Sequence, residues 1–129
     1  DLITIHQKTG IGRLSAFCGA TSAGCGAACG IAYLDGAKPE IIAKTIVNTL
    51  GICSGMVCDG AKSSCAAKIA AAVEAGLDGY EMAKVDLGFV NGEGIIGADV
   101  EQTIVNVGRM ARQGMQHTDE EILNIMLGL

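Results

Sequence analysis

The sequence predicts an all-α domain, a compact bundle of about five helices joined by glycine-rich connectors. Three observations predict it. Apolar residues recur at helical spacing in block after block, and strand-like alternation is confined to short stretches. Half of the 129 residues are hydrophobic and only 18% are charged, enough apolar material for a core. That apolar half holds 18 Ala and 14 Ile but no Trp, and Gly reaches 19, a composition suited to helices packed closely on small residues. The length fits one domain over residues 1–129.

The elements follow in order. Residues 2–8 (LITIHQK) alternate weakly and read as an extended entry segment. Residues 11–34 read as a long Gly/Ala helix that a glycine can interrupt. Each interior Gly costs about 1 kcal/mol relative to Ala, but small residues let a neighbouring helix come close. Asp35-Gly36 is a turn signal, and Pro39 suits the first position of the next helix. There Ile41, Ile42, Thr45, Ile46, Thr49 and Leu50 share helical spacing, up to an interruption at Gly51. Asp59-Gly60 marks another turn, after which Ser63 or Ser64 caps a helix. Its expected inner face is Ala66, Ile69, Ala70, Val73 and Leu77, and Gly76 and Gly79 are expected to close it. Residues 84–98 form a Gly-rich connector with a short extended piece over 85–90. Asp99, with Gln102 three positions on, opens a helix with Val100, Ile104, Val107 and Ala111 on one stripe. The run from Thr118 to Glu121 reads as a capping box that starts a last helix, with Ile122, Ile125, Met126 and Leu129 inward.

Charge excludes some partners. Nine Lys+Arg stand against 14 Asp+Glu, a formal net charge of −5. An acidic chain with no basic block is a poor binder of nucleic acid or of anionic membranes, because phosphates need clustered Lys and Arg. Residues 14–34 carry no charge and are long enough to span a bilayer. Their content is mostly Gly, Ala, Ser, Thr and Cys, which reads as a buried helix instead. No basic stretch followed by an apolar run opens the chain, and the expected location is the cytoplasm. The first residue is Asp1 rather than Met, so the expectation is a domain cut from a longer enzyme.

Most familiar motifs are absent or weak. Gly92–Gly97 (GEGIIG) matches a dinucleotide fingerprint, but the helix signal begins only at Asp99 and no second strand follows, so it reads as a plain glycine loop. His6 and His117 have no carboxylate or cysteine at a spacing that suggests catalysis. Glu120 and Glu121 are explained by favourable charge at a helix N-terminus.

The cysteines carry the information. All six (Cys18, Cys25, Cys29, Cys53, Cys58 and Cys65) lie inside a 48-residue window. A chain able to form a core has little need of disulfide staples, so the cluster reads first as reduced thiols and a candidate metal site, with disulfides as the alternative. Cys25 and Cys29 are four apart on the first predicted helix, a pair or simply small buried residues, and Cys18 precedes Cys25 by a heptad. At ~1.5 Å rise per residue a continuous helix would hold Cys18 roughly 10 Å from Cys25, too far for one small site. Cys58 and Cys65 frame the loop CDGAKSSC. The Asp59-Gly60 turn can fold one thiol toward the other at a helix start, where the positive helix end favours thiolate. The spacing is not that of zinc ribbons or bacterial ferredoxins.

The stretch SGMVCDGAKSSCAAKIA, preceded by GRLSAFCGA and GAACGIAYLDGAKPEI, resembles the serine dehydratase alpha-chain family, and within it the L-cysteine desulfidase-like branch. The resemblance covers about residues 3–127. Its most specific parts are CDGAKxSCAxK and the cysteine forty residues before Cys58. It implies an all-helical fold and a [4Fe–4S] cluster held by three cysteines, which position by position are Cys18, Cys58 and Cys65. Cys25, Cys29 and Cys53 match no ligand position and are expected to be buried thiols.

The implied chemistry is β-elimination on L-cysteine or L-serine, giving pyruvate and ammonia with release of sulfide or water. Three thiolates on four irons leave one iron open to the leaving group. Lys62, Ser63 and Ser64 are candidate contacts for the substrate, or ordinary helix-entry residues. No residue stands out as the base for the α-proton. Family members are much longer, and their Gly/Asn-rich substrate loop is not found here. The chain therefore reads as the cluster-binding C-terminal part of a longer enzyme, inactive by itself. The implied partners are a small amino acid and the N-terminal part of its own full-length chain, with a homodimer left open. A second class also stays open: a non-catalytic cysteine-rich domain binding an iron–sulfur cluster or zinc for structure or sensing. The assignment requires the sulfurs of Cys18, Cys58 and Cys65 to converge or nearly so. Convergence of Cys25 and Cys29 with Cys53 would speak against it.

Overall fold

Residues 15–129 are described by a computed structural model, so the extended entry segment and His6 lie outside the described residues. The chain forms α1 (Ala20–Leu34), α2 (Pro39–Cys53), α3 (Ser64–Lys84), α4 (Val100–Arg109), a π turn (Met110–Gly114) and α5 (Met115–Leu127). The last three follow one another without a break, so the five α-helices stand as four rods. The all-α expectation holds, with one isolated antiparallel bridge, Phe17 to Val57, as the β feature among the described residues. The extended piece foreseen over 85–90 forms no strand. No helix among the described residues is long and apolar enough to cross a membrane.

The first three helices pack on one another, with α3 lying along both α1 and α2. Small residues decide how closely. A Cβ on Gly24 would stand 2.2 Å from the Ala72 carbonyl oxygen, and one on Gly76 would stand 2.6 Å from the Gly24 carbonyl oxygen. The backbones of α1 and α3 therefore touch, as the Gly/Ala composition suggested. This contact also corrects the predicted face of α3. Its buried residues are Ala72, Ala75, Gly76, Gly79, Tyr80 and Ala83, whereas Ile69 is 49% exposed and Ala66 and Ala70 face solvent. At such a short separation the smallest residues win the interface over the bulkier ones. Gly76 and Gly79 are thus interior contact points, not terminators, and α3 runs on to Lys84.

On α2, Thr45, Thr49 and Leu50 of the predicted stripe are buried and Ile41, Ile42 and Ile46 half-buried; Asn48, outside that stripe, is buried as well, and the helix runs through Gly51 to Cys53 without the expected interruption. Asn48 is fully buried and saturates its amide: Nδ2 donates to the carbonyls of Gly79 (3.0 Å) and Leu87 (3.2 Å), and Oδ1 accepts from the Phe89 N–H (3.2 Å). One side chain thereby ties α2 to α3 and to the connector after it. Asn48→Ala removes all three bonds and leaves backbone groups unpaired, an expected loss of about 2 kcal/mol by urea unfolding.

A further apolar cluster joins Ala16, Phe17 and Leu50 to Ile104, Val107, Ala111 and Met115. The predicted stripe of α4 is therefore correct. So is its start: Asp99 Oδ1 accepts from the Gln102 N–H at 2.8 Å. The last helix differs from expectation. Thr118 lies inside α5 rather than at its cap, because the rod passes through the π turn without stopping. Ile122 is half-buried, but Ile125, Met126 and Leu129 are exposed. Nothing in the described fold reaches past the bundle to cover that end.

Candidate metal centre

The candidate site is assembled by a short extended segment, a bridge and a helix start. Residues 15–18 run extended before α1, so Cys18 lies off the helix on which the periodicity placed it. One end of this segment is pinned at the π turn. Ser15 Oγ donates to the Ala111 carbonyl at 2.8 Å, and the Ala16 N–H donates to the Met115 carbonyl at 3.2 Å. The other end makes the bridge, where Cys18 N–H donates to the Met56 carbonyl (3.1 Å) and Cys58 N–H to the Ala16 carbonyl (2.5 Å). Two residues distant by forty positions, Cys18 and Cys58, are thereby brought to one bridge.

The chain then turns at Gly60, whose φ of +90° suits glycine and strains other residues. Cys65 sits in the first turn of α3, facing back into that loop. Its sulfur accepts from the Lys62 N–H at 3.5 Å and donates to the Gly60 carbonyl at 3.6 Å. Cys18 is buried, Cys65 half-buried and Cys58 exposed. The methyl end of Met126, from α5, borders Gly60.

Three charges organise the loop. Asp59 binds the ammonium groups of Lys62 and Lys68, the latter at 2.5 Å, and Lys68 Nζ also donates to the Val57 carbonyl at 2.8 Å. The bonds from Lys62 and then Lys68 hold the Asp59 carboxyl down at about 2. Lys68 is pushed up, first by its bond to Asp59 and also by that carboxylate's charge and by the sulfurs of Cys18 and Cys65. Lys68 was not singled out in the sequence, although its position three residues after Cys65 puts it on the same side of the helix. Of the candidate substrate contacts, Lys62 is engaged with Asp59. Ser63 and Ser64 are exposed, and Ser63 occupies the N-cap position of α3 without a side-chain capping bond.

The other three thiols occupy the α1–α2 contact. The neighbouring Cys29 thiol, and then burial, push the fully buried Cys25 up, while Cys25 draws Cys29 down. Burial raises Cys53, whose thiol donates to the Thr49 carbonyl at 3.2 Å. No disulfide joins any of the six cysteines. Among the described residues, no group of three or more His, Cys, Asp or Glu side chains is drawn together tightly enough to hold a metal ion. That covers both trios: Cys18, Cys58 and Cys65 share a neighbourhood without meeting at a point, and Cys25 and Cys29 pair without Cys53 completing a set.

Away from the thiols, Gly92 and Gly94 have positive φ, and α4 starts after the glycine loop, so GEGIIG is a turn rather than a nucleotide cradle. His117 is exposed and lies 3.3 Å from Glu120.

Comparison with known proteins adds to this geometry. The serine dehydratase alpha chain family matches residues 1–124. The chain belongs to the serine dehydratase alpha-chain family. Its similar relatives carry the name UPF0597 protein. That of Desulfitobacterium hafniense is 59% identical, that of Treponema denticola 53% and that of Finegoldia magna 51%, each over 98% of this chain. The chain spans about 30% of the length of these relatives. No solved structure matches it. Within this serine dehydratase alpha-chain member, Cys58 to Lys68 is the loop that the bridge and the start of α3 bring up to Cys18.

Proposed function

We propose that this chain is the iron–sulfur-binding part of a lyase that eliminates the β-substituent of L-cysteine or L-serine, releasing pyruvate and ammonia with sulfide or water. The observation that carries this reading is the Phe17–Val57 bridge, which sets Cys18 beside the Cys58–Cys65 loop in a member of the serine dehydratase alpha-chain family. The donor set suits a [4Fe–4S] cluster: three free thiols from three separate backbone segments, soft ligands of the kind that iron takes, with Cys58 exposed for access.

When bound, such a cluster supplies an open Lewis-acid iron for the leaving hydroxyl or thiol. The chain's own residues would hold it and shape the loop around it. Cys18, Cys58 and Cys65 would hold the group. Gly60, at positive φ, supplies the turn between Cys58 and Cys65. Lys62 keeps a fixed cation at the loop, where a substrate carboxylate would find a partner, and Ser63 and Ser64 offer exposed hydroxyls beside it. The substrate, the N-terminal part of the polypeptide and the cytoplasm as its location belong to the same proposal.

Anaerobic incubation of the full-length protein with iron and sulfide tests it. Uptake of four irons and four sulfides with a broad absorbance near the blue edge of the visible is expected, followed by pyruvate release from cysteine or serine. A loaded protein that releases no pyruvate overturns the lyase and leaves a structural or sensing domain. Preferential retention of zinc overturns the cluster.

A further inference from the structure

We infer that Lys68 is a positioning residue, a latch that holds the Cys18 segment and the Cys58–Cys65 loop in one arrangement. The inference deepens the proposed function, since it concerns the same site.

Lys68 stands on α3, one turn beyond Cys65, with its side chain only 21% exposed. Its ammonium reaches two parts of the opposite segment. It donates to the carbonyl of Val57, the residue paired across the bridge with Phe17, and it binds Asp59, the first residue after Cys58. Two bonds from one ammonium thus join the helix that carries Cys65 to the segment that carries Cys58, and through the bridge to Cys18. Asp59 is shared with Lys62, so the loop closes on both sides of one carboxylate. Isolated exposed ion pairs contribute little, but here the lysine side chain is mostly covered and one of its bonds is to a backbone carbonyl. An arginine can keep the charge and both kinds of bond, and a methionine keeps only the length.

Hydrogen exchange of the metal-free, full-length protein tests the latch without any cluster. Lys68→Met should speed exchange of the amides of residues 57–65 about tenfold, while those of residues 45–50 and 72–80 stay protected. Lys68→Arg should restore most of the protection. Asp59→Asn, which weakens one of the two bonds and leaves the other, should loosen the same segment by a smaller factor. Unchanged exchange in Lys68→Met, or an arginine variant as loose as the methionine one, overturns the inference. Should Lys68→Met unfold as a whole, Asp59→Asn decides alone by the same segment. Iron uptake by the unmodified protein is scored separately: its failure removes the proposed function and leaves the exchange result standing. Where uptake succeeds, Lys68→Met should also move the electron paramagnetic resonance spectrum of the reduced cluster, and Lys68→Arg should not.

Discussion

Replacing Cys58 with serine in the intact protein is expected to abolish iron and sulfide uptake and to lower the proposed lyase activity more than about a hundredfold, a larger loss than the 10–100-fold typical of outer-shell changes. Cys58 is exposed, so the folded protein loses little with its sulfur, and an unchanged melting temperature should accompany the loss. Cys65→Ser is expected to behave alike. Cys18 is buried, and its serine variant should lose the same uptake with a modest drop in stability. The internal control is the second set of thiols. Cys29→Ser touches a half-buried sulfur in the α1–α2 contact and should leave uptake unchanged. Iron counting after anaerobic loading, run beside circular dichroism melts, separates these outcomes. Full loading of the triple variant Cys18→Ser/Cys58→Ser/Cys65→Ser, or loss of loading in Cys29→Ser, would defeat the ligand assignment.

The second large effect is on stability. Gly24→Ala should destabilise the fold by about 3 kcal/mol, at the upper end of what overpacking costs. The added methyl would meet the carbonyl oxygen of Ala72 at 2.2 Å, and that oxygen belongs to the backbone of α3, which cannot rotate away. Alanine's better helix propensity returns at most about 1 kcal/mol. Gly26, on the same helix, has open space where its Cβ would stand. Gly26→Ala is therefore expected to raise stability slightly. Urea unfolding of the two variants side by side checks both signs, and a neutral Gly24→Ala would mean that α1 and α3 are free to separate.

Much of this bundle was legible in the chain, and the reasons are local. Pro39 began a helix, Asp99 capped one, and the stripe Val100, Ile104, Val107 and Ala111 faced the core, because in each case a short-range signal agreed with the tertiary contact. Where the reading failed, a long-range contact overrode it. Ile69 looked like a core residue of α3 until the backbone of α1 claimed the glycine and alanine face. Cys18 had helical periodicity with Cys25, yet its amide pairs with Met56, a partner that no local pattern announces. The capping box at Thr118 was sound chemistry at a place where the rod simply continued. For the candidate centre, the cysteine spacing singled out Cys58 and Cys65, and only the family resemblance added Cys18. The part played by Asp59 and Lys68 stayed hidden, because a charge pair nine positions apart has meaning only once the turn at Gly60 folds it together.

The five residues from Met110 to Gly114 have one more consequence. A π turn carries about one residue more than an α turn, and each helical residue advances the side chains by about 100°. The rod's two halves are therefore out of phase, as if a gear had been slipped by one tooth. Upstream, the teeth mesh with the core; downstream, Met115 still faces Ala16, while the far end of α5 carries its oily side chains round toward water. Removing that tooth would restore a uniform screw, swing α5 through more than a quarter turn, and take with it the carbonyl docking points on which Ser15 and Ala16 hang.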